Sequence, residues 1–167
     1  AASDVYKRQG AMCEYIALPW SKIIPAHRIP PRDCALIEPM SVGFHAVSRA
    51  QVTDIDIVMV IGCGMIGMGA IVRSALRGAT VIAVDLDDEK LELAKRIGAH
   101  HTINSMTENV HECLTKITEG LGPDVVIEAV GSPATYVMAV NEVGFTGRVV
   151  CIGLSLIHIS EPTRHAQ

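Results

Sequence analysis

Gly62, Gly64 and Gly67 stand at G-x-G-x-x-G spacing within Gly62-Cys63-Gly64-Met65-Ile66-Gly67, and an aspartate, Asp85, follows at about the 20-residue interval of a dinucleotide fingerprint. The chemistry such a loop performs is the holding of a pyrophosphate. Its first glycine permits a tight turn out of a strand, the second lets the backbone approach the phosphates, and the third lets helix and strand pack closely. Unpaired N–H groups at the following helix N-terminus, from Met65 and Ile66 onward, then face the negative charge.

Three glycines alone are weak evidence; the elements around them give the spacing meaning. Ile57–Ile61 is a continuous apolar run, the mark of a strand buried on both faces in a parallel sheet. From Ile66, apolar residues recur at helical spacing through Ala70, Val72 and Leu76, with Gly78 as C-terminal cap. Thr80–Val84 reads as the second buried strand, which puts Asp85 at its carboxyl end. There a carboxylate can accept hydrogen bonds from both ribose hydroxyls and repel the 2′-phosphate of NADP, so the expected cofactor is NAD. Leu86-Asp87-Asp88 follows, and the added negative charge favours the same choice. Asp85 could instead open the next helix, a capping task open equally to Asp87 or Asp88. Lys90 either reaches the adenosine ribose from the first turn of that helix or stands as a solvated surface lysine.

The alternation continues: a helix over Glu89–Ile97 stopping at Gly98, a short strand His101–Ile103, a helix Val110–Thr118, a strand Asp124–Glu128, a helix opening at Pro133, and a strand Arg148–Ile152. Right-handed crossovers make this an α/β fold, a doubly wound parallel Rossmann sheet of order 3-2-1-4-5, with a sixth strand expected to follow. The ends of the fourth and fifth strands, around Val130-Gly131 and Ile152-Gly153, are expected to line the nicotinamide half of the cofactor. Ahead of this unit, Ala11–Leu18 reads as a strand, and prolines at 19, 25, 30 and 31 punctuate an extended segment. Residues 10–38 are therefore expected to be a strip of a preceding domain, and residues 39–153 the dinucleotide-binding domain.

The composition narrows the classes. A net charge of −4 with no basic cluster gives little for nucleic acid to bind, and no apolar run is long enough to span a membrane. The five cysteines, Cys13, Cys34, Cys63, Cys113 and Cys151, are odd in number and form no CxxC pair. They suit a reducing, cytoplasmic setting rather than a disulfide frame.

The two ends carry a different signal. Asp4-Val5-Tyr6-Lys7-Arg8-Gln9 back-translates to GAT-GTG-TAT-AAG-AGA-CAG, whose opposite strand encodes Leu-Ser-Leu-Ile-His-Ile, the sequence of Leu154–Ile159. An inverted repeat of this kind is what transposase-based sequencing adapters leave, so residues 1–9 and 154–167 are expected to be translated adapter and are set aside from fold reasoning.

Gly10-Ala11-Met12-Cys13-Glu14-Tyr15-Ile16, then Glu38-Pro39-Met40-Ser41-Val42-Gly43-Phe44-His45-Ala46, then Gly62–Gly67 closely resemble the medium-chain zinc-dependent alcohol dehydrogenases, within them the polyol and sugar-acid branch similar to sorbitol dehydrogenase. The resemblance implies that a GroES-like β domain precedes the nucleotide domain and brings most of the zinc ligands. It implies that Glu38, otherwise readable as a helix-start glutamate held by Pro39, approaches a catalytic zinc directly or through water. His45 is not a ligand on this pattern, and His27, His100, His101 and His111 lack metal-ligand spacing. The implied reaction is hydride transfer from a secondary alcohol of a polyol or sugar acid to NAD, with zinc lowering the pKa of the substrate hydroxyl. The resemblance also implies a homo-oligomer assembled through the sixth strand. A chain without the remaining ligands and that strand is expected to be inactive alone, and poorly soluble because its fifth strand is an open edge. Two alternatives stay open: a noncatalytic dinucleotide sensor, and a zinc-free, NADPH-selective quinone reductase of the same superfamily.

Overall fold

The computed structural model describes residues 14–153, which fall into two compact units divided between Cys34 and Ala35. The division lies four residues ahead of the 38/39 boundary read from the sequence, because a helix of the second unit already starts at Ile37.

In the first unit the described residues hold a 3-10 turn at Trp20–Lys22 and a single helical turn, α1, at Pro31–Cys34. The strand expected over Ala11–Leu18 is not found where it can be checked: residues 11–13 lie outside the described residues, and 14–18 form no strand. A strand needs a neighbour to take its N–H and C=O groups. All ladders among the described residues belong to the second unit.

The second unit runs α2 (Ile37–Arg49), β1 (Ile57–Ile61), α3 (Met65–Leu76), β2 (Thr80–Asp85), α4 (Asp88–Arg96), β3 (His101–Asn104), α5 (Val110–Ile117), β4 (Val125–Glu128), α6 (Pro133–Glu142) and β5 (Arg148–Cys151). The five strands form one parallel sheet in the order β3-β2-β1-β4-β5, the doubly wound arrangement expected. β1 is flanked by β2 and β4, and because helices cover both faces of the sheet its apolar residues bury on both. Val58 and Val60 join Val81, Ala83, Val125 and Ile127 beneath Ala46, Val47, Ala70, Ile71 and Leu91 of α2, α3 and α4. Met59 and Ile61 turn the other way, with Ile82, Val84, Ile103 and Val126, toward Val110, Leu114 and Ala139 of α5 and α6.

Helix starts follow local chemistry. Asp87 caps α4 by accepting the Glu89 amide at 2.9 Å, and Asn109 caps α5. Ser132 and Thr135 form a reciprocal capping box on α6, with Pro133 just inside. Gly78, at φ +87°, ends α3 as its position suggests.

α2 was not legible as a layer of this sheet. It lies against α3 through two glycines: a Cβ on Gly43 would come within 2.2 Å of the Ile66 carbonyl oxygen, and one on Gly69 within 2.6 Å of that of Met40. The two backbones meet directly, and no side chain fits between them.

Candidate functional site

The loop from β1 to α3 is shaped by its three glycines in three ways. Gly62 has φ +93° and donates its N–H to the Val84 carbonyl at 2.8 Å, stitching the end of β1 to β2. Gly67 is pressed so closely beneath the turn that a Cβ would fall 1.8 Å from the Gly62 carbonyl oxygen. Gly64 is different: it has an extended backbone, and a Cβ there would meet nothing within 4 Å. The protein leaves space above Gly64 that its own packing does not use. α3 starts at this glycine with no side-chain cap, so its first-turn amides, those of Met65 and Ile66 included, are available to an anion.

Asp85, at the end of β2, closes the loop from the side. Its Oδ2 accepts the Cys63 amide at 2.6 Å, and its Oδ1 accepts the amides of Leu86 at 2.8 Å and Asp87 at 3.1 Å. A carboxylate offers about four lone-pair sites; three are occupied here by backbone amides. Asp85 does not cap α4, a task that falls to Asp87. Lys90 places Nζ 3.9 Å from Asp85 Oδ1 and 4.0 Å from Asp87 Oδ2, so it partners the carboxylates while remaining half-exposed. Behind them, Asn104 donates Nδ2 to Asp88 at 2.6 Å, and Ser105 donates its backbone N–H to the Asp85 carbonyl at 3.0 Å, fixing the β2–α4 turn from β3.

Gly62, Gly64, Asp85, Lys90 and Val130 line one cavity of about 570 Å³. The other residues proposed from the sequence do not line it. Met65 is half-exposed on α3, and Ile66 turns its carbonyl toward Gly43. Gly131, at φ +83°, turns the chain after β4. Gly153 is packed onto Val130-Gly131 so tightly that a Cβ would lie 2.2 Å from the Gly131 nitrogen. Val130 therefore lines this cavity on the opposite side of β1 from Asp85, with Gly153 packed against its backbone from behind. Strand-end residues Ile61, Val84 and Ala129 form part of its floor, and Leu86, Ser105, Ser132, Ala134, Thr135 and Met138 line it too. The latter were missed because Leu86, Ser105 and Ser132 follow strand ends in loops of ordinary composition and Ala134, Thr135 and Met138 lie on α6; the rule that ligands collect at the carboxyl ends of parallel strands is the signal that would have found them.

Cys63, inside the fingerprint, is buried, and its thiol is pushed up to about 12, first by burial and then by the charge of Asp85. It is a neutral packing group at physiological pH, not a nucleophile.

Glu38 lies exposed in the first turn of α2. Among the described residues no group of three or more histidines, cysteines, aspartates and glutamates could hold a metal, so these residues do not by themselves make a zinc site. His45 is exposed on α2, His100 accepts the Val81 amide through Nδ1 at 3.0 Å, and His111 pairs with Glu142 at 2.9 Å. Among the described residues no helix is long and apolar enough to cross a membrane.

Comparison with known proteins gives this geometry its relatives. The family described as zinc-binding dehydrogenase matches residues 66–165. The chain is 36% identical over 156 residues to the erythritol/L-threitol dehydrogenase of Mycolicibacterium smegmatis, covering 89% of this chain and 42% of that protein. It is 37% identical over 123 residues to the sorbitol dehydrogenase of Bacillus subtilis, covering 73% of this chain and 35% of that one. The crystal structure of galactitol-1-phosphate dehydrogenase from Escherichia coli superposes with a TM-score of 0.78 at 32% identity, covering 95% of this chain and 47% of the other. The chain thus spans less than half the length of the relatives it matches. Its five-stranded parallel sheet, its glycine turn closed by Asp85 and these similarities together show that it belongs to the zinc-binding dehydrogenase family, among the medium-chain alcohol and polyol dehydrogenases.

Proposed function

We propose that this chain is the NAD-binding part of a dehydrogenase that oxidises a secondary alcohol of a polyol or sugar acid. The single observation that carries the cofactor reading is the empty approach above Gly64 in the cavity that Asp85 closes. A side chain at Gly64 would cost the protein nothing sterically, so its absence serves something that comes from outside. The pyrophosphate lies over Gly62–Gly67 at the α3 N-terminus, and the adenosine ribose donates one hydroxyl to Asp85. Val130 covers the adenosine half, with Leu86 and Ser105, in place of the nicotinamide role first expected for it. Gly131 turns the chain behind that wall, and Ile152-Gly153 at the end of β5 remain the side toward which the nicotinamide extends. Lys90 holds Asp85 and Asp87 in place and does not compete for the ribose.

NAD supplies the hydride acceptor when bound. The residues of this chain orient it and select it: the paired carboxylates Asp85 and Asp87 oppose a 2′-phosphate, and the uncapped α3 terminus favours the pyrophosphate. Glu38 is proposed to complete a zinc site with ligands from outside the described residues. The polyol and sugar-acid class is supported by the names of the relatives, among them an L-galactonate-5-dehydrogenase of Escherichia coli. The reading includes a cytoplasmic setting and a homo-oligomer assembled through the sixth strand expected to follow β5.

Calorimetric titration of the chain with NAD and with NADP tests the cofactor reading. NAD is expected to bind and NADP to bind at least about tenfold more weakly; equal affinities, or no binding of either, would overturn it.

A further inference from the structure

Glu128 ends β4 between Ile61 of β1 and Cys151 of β5, and it is fully buried. Its Oε1 accepts three hydrogen bonds, from the amides of Val130 and Gly131 and from the Thr135 hydroxyl, each 2.8 Å long. Its Oε2 is buried with no partner among the described residues. Burying a carboxylate costs several kcal/mol unless its lone pairs are satisfied, and here only one oxygen is. A cost of this kind is retained where a network must hold one conformation.

What the network holds is one wall of the cavity. Val130 and Thr135 line the space that Asp85 closes from the other side, and Ser132, between them, lines it too. The loop is pinned from behind as well: the Glu128 carbonyl accepts the amides of Ile152 at 2.8 Å and Gly153 at 3.0 Å, and the Tyr136 hydroxyl donates to the Gly153 carbonyl. Thr135 belongs to the capping box of α6, so the carboxylate fixes the helix start and the preceding turn together.

We propose that Glu128 is a positioning residue for the dinucleotide: its Oε1 sets the Val130–Thr135 wall at the height that receives the adenosine half opposite Asp85. The inference rests on the dinucleotide reading above. Position of the acceptor, not negative charge, is what matters, because the dinucleotide does not reach a fully buried group.

Two conservative variants separate these roles in the 167-residue chain, with 5′-AMP and NAD as probes in calorimetry. Glu128→Gln keeps an acceptor oxygen at the same reach and is expected to bind both within about twofold of the unaltered chain. Glu128→Asp keeps the charge but withdraws the carboxylate by one methylene, and is expected to bind both at least about tenfold more weakly while still unfolding cooperatively. A role in stability alone would lower the melting temperature of Glu128→Asp and leave the affinity of its folded form unchanged; that result would overturn the proposal, as would Glu128→Gln binding as weakly as Glu128→Asp. Amide exchange of the unaltered chain gives a measurement independent of folding in the variants. Val130 and Gly131 are expected to exchange several-fold more slowly when 5′-AMP is added, and unchanged exchange with 5′-AMP bound would also overturn the proposal. If the unaltered chain binds neither nucleotide, the dinucleotide reading itself fails and the inference falls with it.

Discussion

Asp85 and Cys63 are 22 residues apart in sequence, yet the Asp85 carboxylate accepts the Cys63 amide at 2.6 Å. The residue proposed to select the cofactor is therefore also a brace of the glycine turn. Replacing Asp85 by serine is expected to act twice: NAD affinity falls by about 10- to 100-fold as a hydrogen bond to a charged group is lost, and the NAD-to-NADP ratio moves toward NADP by at least about tenfold because the repulsion is gone. Paired calorimetric titrations measure both. A lowered NAD affinity with an unchanged ratio would mean that Asp85 serves only as the brace.

Gly64 and Gly67 separate binding from folding. Gly67→Ala forces a Cβ to 1.8 Å from the Gly62 carbonyl oxygen, which backbone cannot accommodate in place, and a destabilisation of roughly 3 kcal/mol or more is expected, read by urea unfolding. Gly64→Ala meets nothing and has an extended backbone open to any residue. Its stability is expected to change by less than about 1 kcal/mol, while NAD affinity drops at least about tenfold because the methyl occupies the approach of the pyrophosphate.

The strands were legible because their environment is simple. Ile57–Ile61 and Val125–Ile127 are buried on both faces, so the apolar run itself records the environment, and glycines and prolines mark the ends. Asp85 was legible because a fixed spacing ties it to Gly62. What escaped was whatever depends on distant partners. Nothing near Gly43 announces that the Ile66 carbonyl will lie against it. Glu128 reads as the polar end of a strand until the folded turn brings the Val130 and Gly131 amides onto one oxygen. Val130 was grouped with Ile152-Gly153 by strand ends alone; the cavity groups it with Asp85.

The α2–α3 seam carries its own prediction. Gly43→Ala and Gly69→Ala each place a methyl against backbone of the facing helix, with closest approaches of 2.2 and 2.6 Å. Either is expected to destabilise the second unit by roughly 2–3 kcal/mol by pushing the helices apart, despite alanine being the better helix former. The two residues face the same seam, so the double variant is expected to cost less than the sum of the singles. Urea unfolding of the three variants measures the coupling, and strict additivity would argue against a shared seam.

The buried thiol of Cys63 makes stability depend on alkaline pH. Its pKa is raised from 9.0 to about 12 by burial and then by Asp85, so the folded state holds a proton that the unfolded state releases. This contribution is fully present below pH 9 and is lost as pH rises toward 12, at about 1.4 kcal/mol per pH unit once the unfolded thiol has ionised. Other groups titrate in the same window, so the comparison is with Cys63→Ala, which removes the thiol and little volume. The stability difference between the two chains, from urea unfolding at pH 8 and pH 10.5, is expected to shift in favour of Cys63→Ala at the higher pH. A difference that stays constant would mean that the thiol ionises equally readily in both states and that the loop opens to solvent at Cys63.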